Sequence, residues 1–170
     1  MIPDKKHAAV CGLFCPSCTL FIASKEDPER LKKLSVRLNQ STEETRGEGC
    51  RSEKRTAYCK TCKMVACAAK KRIDFCVYCD EYPCDELKDF QSVYAHRIEL
   101  WKSQKRIEEV GYERWFKEMV GHFSCPECNT INSAYDLICR KCGKEPSCRY
   151  VEINKQEIIN RNSGKTLTTQ

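Results

Sequence analysis

Cys125-Pro126-Glu127-Cys128 and, ten residues further on, Cys139-Arg140-Lys141-Cys142-Gly143 form the stretch from which the rest of the chain is read. Each Cys-x2-Cys pair bends the backbone into a knuckle that aims two sulfurs at one ion, and two knuckles complete a tetrahedron. Pro126 and Gly143 supply turn residues where such knuckles need them. The intervening residues include Ile131, Tyr135, Leu137 and Ile138, enough for a short hairpin. The expectation for 122–150 is therefore a zinc ribbon of β-hairpins in which Cys125, Cys128, Cys139 and Cys142 hold one structural Zn2+. With all four positions filled by protein, such a site has no place for a reactive water.

Composition points the same way. Cysteine accounts for 15 of 170 residues, and the apolar fraction of 41% includes those thiols. A chain this short in ordinary hydrophobic side chains needs a staple. Disulfides serve in oxidising compartments and metals in reducing ones. Lys5 and Lys6 imitate the basic start of a secretory signal, but the apolar run from Ala8 to Phe14 is short and already contains Cys11. No apolar run reaches the roughly 18 residues that span a bilayer. The expected location is cytoplasmic, without membrane association. There, repeated Cys-x2-Cys pairs argue for thiolate ligands, and an odd cysteine count argues against a closed disulfide set.

The formal charge of +6 invites a nucleic-acid reading, but it treats every thiol as neutral. A zinc held by four thiolates carries a net charge of about −2, so three such sites cancel the surplus. The charge is also uneven. Arg51 to Arg72 carries eight basic residues and one acid, whereas Asp74 to Phe90 carries six acids and one lysine. The basic stretch reads as counter-charge for thiolates and for its acidic neighbour, and nucleic-acid binding is expected to be weak.

Upstream the cysteines fall into three triads, Cys11-x3-Cys15-x2-Cys18, Cys59-x2-Cys62-x4-Cys67 and Cys76-x2-Cys79-x4-Cys84, with Cys50 between the first two. The last two share one spacing, as a duplicated ligand module would. Soft thiolates suit zinc and iron–sulfur clusters alike. The first triad has the spacing of radical enzymes that use S-adenosylmethionine, but the long strand–helix barrel those enzymes need is missing. No triad completes the ferredoxin run. Nine thiols exceed by one the eight needed for two closed tetrahedra, so the expectation is two N-terminal zinc sites, with an iron–sulfur cluster as the alternative. Cys50 and Cys148 lack a knuckle partner and are expected to be free.

Helical signals separate the cysteine blocks. Asp27-Pro28 reads as an N-cap and first helical residue, followed by Leu31, Leu34 and Leu38 on one face. After Cys84, Asp85 opens a second stripe of Leu87, Phe90, Tyr94, Ile98 and Trp101, which ends near Gly111. A shorter helix with Trp115, Phe116 and Met119 follows and stops at Gly121. The tail from Val151 is polar and expected to fray. His7, His96 and His122 are expected in ordinary surface roles.

The string Cys11-Gly12-Leu13-Phe14-Cys15-x2-Cys18, with Gly49-Cys50-Arg51, Cys59-x2-Cys62-x4-Cys67-Ala68 and Phe75-Cys76-x2-Cys79-Asp80-Glu81-Tyr82-Pro83-Cys84, resembles the domain of unknown function 3795. The resemblance covers Val10 to about Phe90, and several members append a zinc ribbon. It implies no activity. Where the family has a Cys-x-Gly-Cys-Arg unit, this chain has Gly47-Glu48-Gly49-Cys50-Arg51, which leaves Cys50 without its partner.

The sequence thus describes a small metal-stapled α+β protein: a cysteine-rich domain at 1–90, two connecting amphipathic helices in 91–121, the ribbon at 122–150 and a tail at 151–170. No Ser/His/Asp arrangement, phosphate-cradling loop or acid/base carboxylate pair stands out. The expected role is zinc-dependent binding rather than catalysis, with a protein partner, and the competing class is an iron–sulfur redox or electron-transfer protein.

Overall fold

The computed structural model describes residues 1–163 and is helical, not α+β. Eight α-helices follow in order: α1 (Thr19–Glu26), α2 (Pro28–Arg37), α3 (Thr42–Thr45), α4 (Ala57–Lys60), α5 (Lys63–Lys71), α6 (Asp85–Ser92), α7 (Leu100–Phe123) and α8 (Arg149–Ser163). Among the described residues no β-strand forms, and the only extended pairings are the isolated bridges Ala8–Phe14 and Ser124–Ile131. The expected ribbon hairpins are therefore absent. Their backbone groups are satisfied by turns and side chains instead: Ser133 N–H donates to Asp136, Asp136 N–H to the Ser133 carbonyl, and Arg140 N–H to Asn132 Oδ1.

Local chemistry explains where helices start. Asp27 accepts from Arg30 N–H at 2.9 Å, and Pro28 opens α2 at the position where its missing N–H costs nothing. Ser41 and Glu44 close a reciprocal capping box on α3. α6 begins at Asp85, which is its first helical residue and not its cap, the N-cap being Cys84, and it ends at Ser92, so the stripe from Leu87 to Trp101 is shared by two helices joined through the 3-10 turn Ala95–Arg97.

Gly111 divides α7. Its φ of 75° and ψ of 163° lie where side-chain-bearing residues are essentially not found, and the two arms, 100–110 and 112–123, fold back on one another. The contacts across the turn make this plain. His122 Nε2 lies 2.6 Å from Glu99 Oε2, Trp115 Nε1 donates to Ser103 Oγ at 2.8 Å, and Arg106 grips Glu118 through two bonds of 2.8 and 2.7 Å. In a straight helix, at about 1.5 Å per residue, residues 99 and 122 would stand roughly 34 Å apart. The break expected near Gly111 is thus a helical hairpin, and its second arm runs past Gly121 to Phe123.

Two apolar clusters hold the molecule. In the first, Phe14 from the N-terminal loop inserts among the hairpin's aromatic residues, 5.1 Å from Phe116 edge-on and 5.9 Å from Phe123 stacked. Phe123 in turn stacks on Tyr150 at 4.8 Å, which brings α8 into the same core. The C-terminal segment therefore does not fray up to Ser163: Tyr150, Val151, Asn154 and Ile158 form a buried stripe along α8. The second cluster packs Met64 and Ala68 of α5, Leu87 and Leu100 against Cys11, Cys15 and Cys50. The two are joined by polar bonds: buried Gln104 accepts from Val77 N–H at 3.0 Å, and Ser103 Oγ donates to the Gly12 carbonyl at 2.5 Å.

Candidate metal centre

Cys125, Cys128, Cys139 and Cys142 come together between α7 and α8, with their sulfur atoms all within 4.8 Å of one another. Two local structures of one design place them. In the first, Asn129 N–H donates to the Cys125 carbonyl at 3.0 Å and Cys125 N–H to the Thr130 carbonyl at 2.9 Å. In the second, Gly143 N–H donates to the Cys139 carbonyl at 3.0 Å and Cys139 N–H to the Lys144 carbonyl at 2.8 Å. The residue after each second cysteine has positive φ, 57° at Asn129 and 77° at Gly143. Asparagine and glycine are the residue types that adopt this conformation most readily.

The sulfur separations fit a metal. Cys125 Sγ lies 3.5 Å from Cys142 Sγ, and Cys128 Sγ lies 3.6 Å from Cys139 Sγ. Four sulfurs at about 2.3 Å from a tetrahedral zinc would be separated by roughly 3.8 Å. Burial works against the Cys139 thiolate, but backbone N–H groups of Cys142 and Lys141, with Cys128 and Asn132, outweigh it and bring the thiol down to about 6. Thr130 likewise lowers Cys128. Cys142 goes the other way: against the Lys144 N–H, which lowers it, burial and the neighbouring sulfurs push it up to about 12, so the four thiols by themselves divide between charged and neutral forms.

Asn132 is the side chain on which this local structure turns. Fully buried, it places Nδ2 3.6 Å from Cys139 Sγ, donates to the carbonyls of Thr130 at 2.9 Å and Ser147 at 3.1 Å, and accepts from Arg140 N–H at 3.1 Å. Arg140 then reaches Glu26 of α1 at 2.5 Å, and Asp136 of the connecting loop pairs with Arg30 of α2 at 3.0 Å. The centre is thereby anchored to the N-terminal helices. None of these five residues carries a motif; a further local signal lies in Asn129 and Gly143, each directly after a Cys-x2-Cys pair.

The N-terminal thiols do not form the two zinc sites expected of them. Among the described residues, no second group of three or more ligands lies within the same 4.8 Å. Cys11, Cys15 and Cys50 are buried, Cys59, Cys62, Cys76, Cys79 and Cys84 half-buried, and Cys18 and Cys67 exposed. Helix geometry accounts for part of this: Cys62 caps α5 and Cys67 lies within it, and five residues turn a helix by about 140°. Cys79 faces Lys71 Nζ at 3.1 Å instead of a cysteine partner. Burial pushes Cys76 up to about 12 and Cys59 up to about 11. Cys50, expected to be isolated, hydrogen-bonds Cys15, which with backbone and Arg51 contacts lowers it to about 7 against burial. Cys148 is buried beside Ser147, outside the centre.

No histidine belongs to the four-thiol group, and His7 packs edge-on against Phe21 at 5.1 Å. His96 Nδ1 lies 2.7 Å from the Tyr135 hydroxyl, and His122 joins Glu99 in the hairpin.

Residues 7–89 match the family described as "Protein of unknown function (DUF3795)". The match stops short of the four-cysteine centre and covers slightly less than half of the chain. No curated protein and no solved structure matches the chain. The likeness read from the N-terminal cysteines thus holds over that region, whereas the appended zinc ribbon does not: the C-terminal cysteines converge without strands.

Proposed function

We propose that the protein is a zinc-carrying, non-catalytic interaction module that acts in the cytoplasm on a protein partner. The convergence of four thiols from two matched knuckles carries this reading. Such a donor set fills a tetrahedral ion completely and leaves no position for water or substrate, which makes the ion a structural element. Among the described residues no helix is long and apolar enough to cross a membrane.

Charge pairing supports a protein partner over nucleic acid. The basic 51–72 stretch is engaged by the acidic 74–90 stretch: Lys63 pairs with Glu86 at 3.1 Å, Lys71 with Glu81 at 2.9 Å and Arg51 with Asp74 at 3.8 Å. These pairs engage three of the eight cations of the stretch and so lower the number of counterions it could displace from a phosphate backbone. The test is elemental analysis of the purified protein beside Cys139→Ser. One zinc per chain, lost in the variant, is expected. Iron with visible colour, or an unchanged metal content in Cys139→Ser, would overturn the reading.

A further inference from the structure

Away from the metal centre, a cavity of about 1210 Å³ runs between the N-terminal loop, α2, α4, α6 and the hairpin, somewhat above the roughly 300–1,000 Å³ usual for small-molecule sites. Its wall is mostly apolar and contains Leu34, Phe90, Leu100, Met119 and Phe123. Its charge is one-sided. Five strong cations line it, Arg30, Arg37, Arg97, Lys102 and Arg106, against one carboxylate, Glu99. Arg30 and Arg106 are neutralised from outside the cavity by Asp136 and Glu118, and Lys102 shares Glu99 with His122.

Arg97 is different. It is 5% exposed, and no carboxylate among the described residues pairs with it. Its acceptors are a ring nitrogen, a carbonyl and a hydroxyl: Nε donates to His96 Nε2 at 3.3 Å, Nη1 to the Phe90 carbonyl at 2.6 Å and Nη2 to the Tyr58 hydroxyl at 3.1 Å. The rings of Phe90 and Tyr94 lie 3.5 and 4.4 Å from the guanidinium carbon and fix its plane. These bonds use three of the five N–H groups that a guanidinium carries. Cys50, a thiol on this wall held below its ordinary value against burial, owes that chiefly to Cys15, to backbone N–H groups and to Arg51. A buried charge without a counter-ion is costly, and a pre-set guanidinium at the wall of an apolar cavity is the usual means of seating an anionic head group.

We infer that this cavity binds an amphipathic organic acid, an apolar body carrying a single carboxylate, with Arg97 as the counter-charge. The apolar wall takes the body, and the two remaining N–H groups of the rigidly stacked guanidinium take the head. The inference is independent of the metal reading, because neither Arg97 nor the cavity wall includes a residue of the four-cysteine centre.

The experiment uses the full-length, metal-loaded protein and two fluorescent probes of one skeleton, 8-anilinonaphthalene-1-sulfonate and its uncharged parent N-phenyl-1-naphthylamine. The anionic probe should bind one per chain and at least tenfold more tightly than the parent. Decanoate should displace it, and 1-decanol at equal concentration should not. Arg97→Gln, where near-ultraviolet circular dichroism matches that of the wild type, should bring the two probes to equal affinity. Equal affinities in the wild-type protein, or displacement by decanol as effective as by decanoate, would overturn the inference without reference to any variant.

Discussion

Asn132 serves four partners from one buried amide, and this shows how a metal site is held at the residue scale. Thiolates converge only if the backbone behind them is fixed, and Asn132 fixes it by tying Thr130, Arg140 and Ser147 to one point. Truncation would leave the Ser147 carbonyl and the Arg140 N–H short of a partner, and the Thr130 carbonyl with Cys125 N–H alone, at a cost of about 1–3 kcal/mol for each group left buried and unpaired. Asn132→Ala should therefore lower stability by about 2 kcal/mol or more and weaken metal retention. Denaturant unfolding and zinc release to a colorimetric chelator measure the two effects. Wild-type behaviour in both would show that the knuckles stand without it. The four ligands themselves were legible in the sequence, since Cys-x2-Cys is local geometry. Asn132 was not, because its partners become neighbours only after both knuckles have formed.

At the scale of elements, the helical hairpin depends on one backbone position. Gly111 combines φ 75° with ψ 163°, and a Cβ there would meet nothing within 4 Å, so the requirement for glycine is conformational rather than steric crowding. Gly111→Ala should cost about 1–3 kcal/mol through strain alone. A fall in thermal midpoint with unchanged helical circular dichroism is the expected result, and an unshifted midpoint would mean that the turn relaxes into an ordinary conformation. The break was readable beforehand, because glycine interrupts two apolar stripes at that point. The absence of strands was not. Ile131, Tyr135, Leu137 and Ile138 are enough for a short hairpin, yet the turn at Ser133–Asp136 and the Asp136–Arg30 pair draw the loop onto α2 instead. α8 was hidden for a related reason: Tyr150, Val151, Asn154 and Ile158 keep helical spacing, but polar neighbours mask the stripe.

On the scale of the whole molecule, the metal centre is continuous with the core. Phe123 leads directly into the first knuckle, Tyr150 follows the second, and these two rings stack on each other and, through Phe14, against Trp115 and Phe116. Arg140 and Asp136 link the same segment to α1 and α2. The C-terminal centre therefore cannot open without disturbing the cluster that also holds the N-terminal loop. A self-contained ribbon would lose its metal while the helices stood, and unfolding would show two steps. This arrangement calls for one. Stripping the metal with a strong chelator should lower the midpoint of a single transition by more than 5 °C, because a ligand that binds only the native state stabilises all that unfolds with it. Far-ultraviolet circular dichroism, which reports helices, and tryptophan fluorescence, which reports Trp115 of the aromatic core together with Trp101 of the second cluster, should give coincident curves before and after chelation. Loss of knuckle structure with an unmoved tryptophan transition would show that the centre folds apart from the aromatic core, and that the stacking of Phe123 on Tyr150 transmits no stability between them.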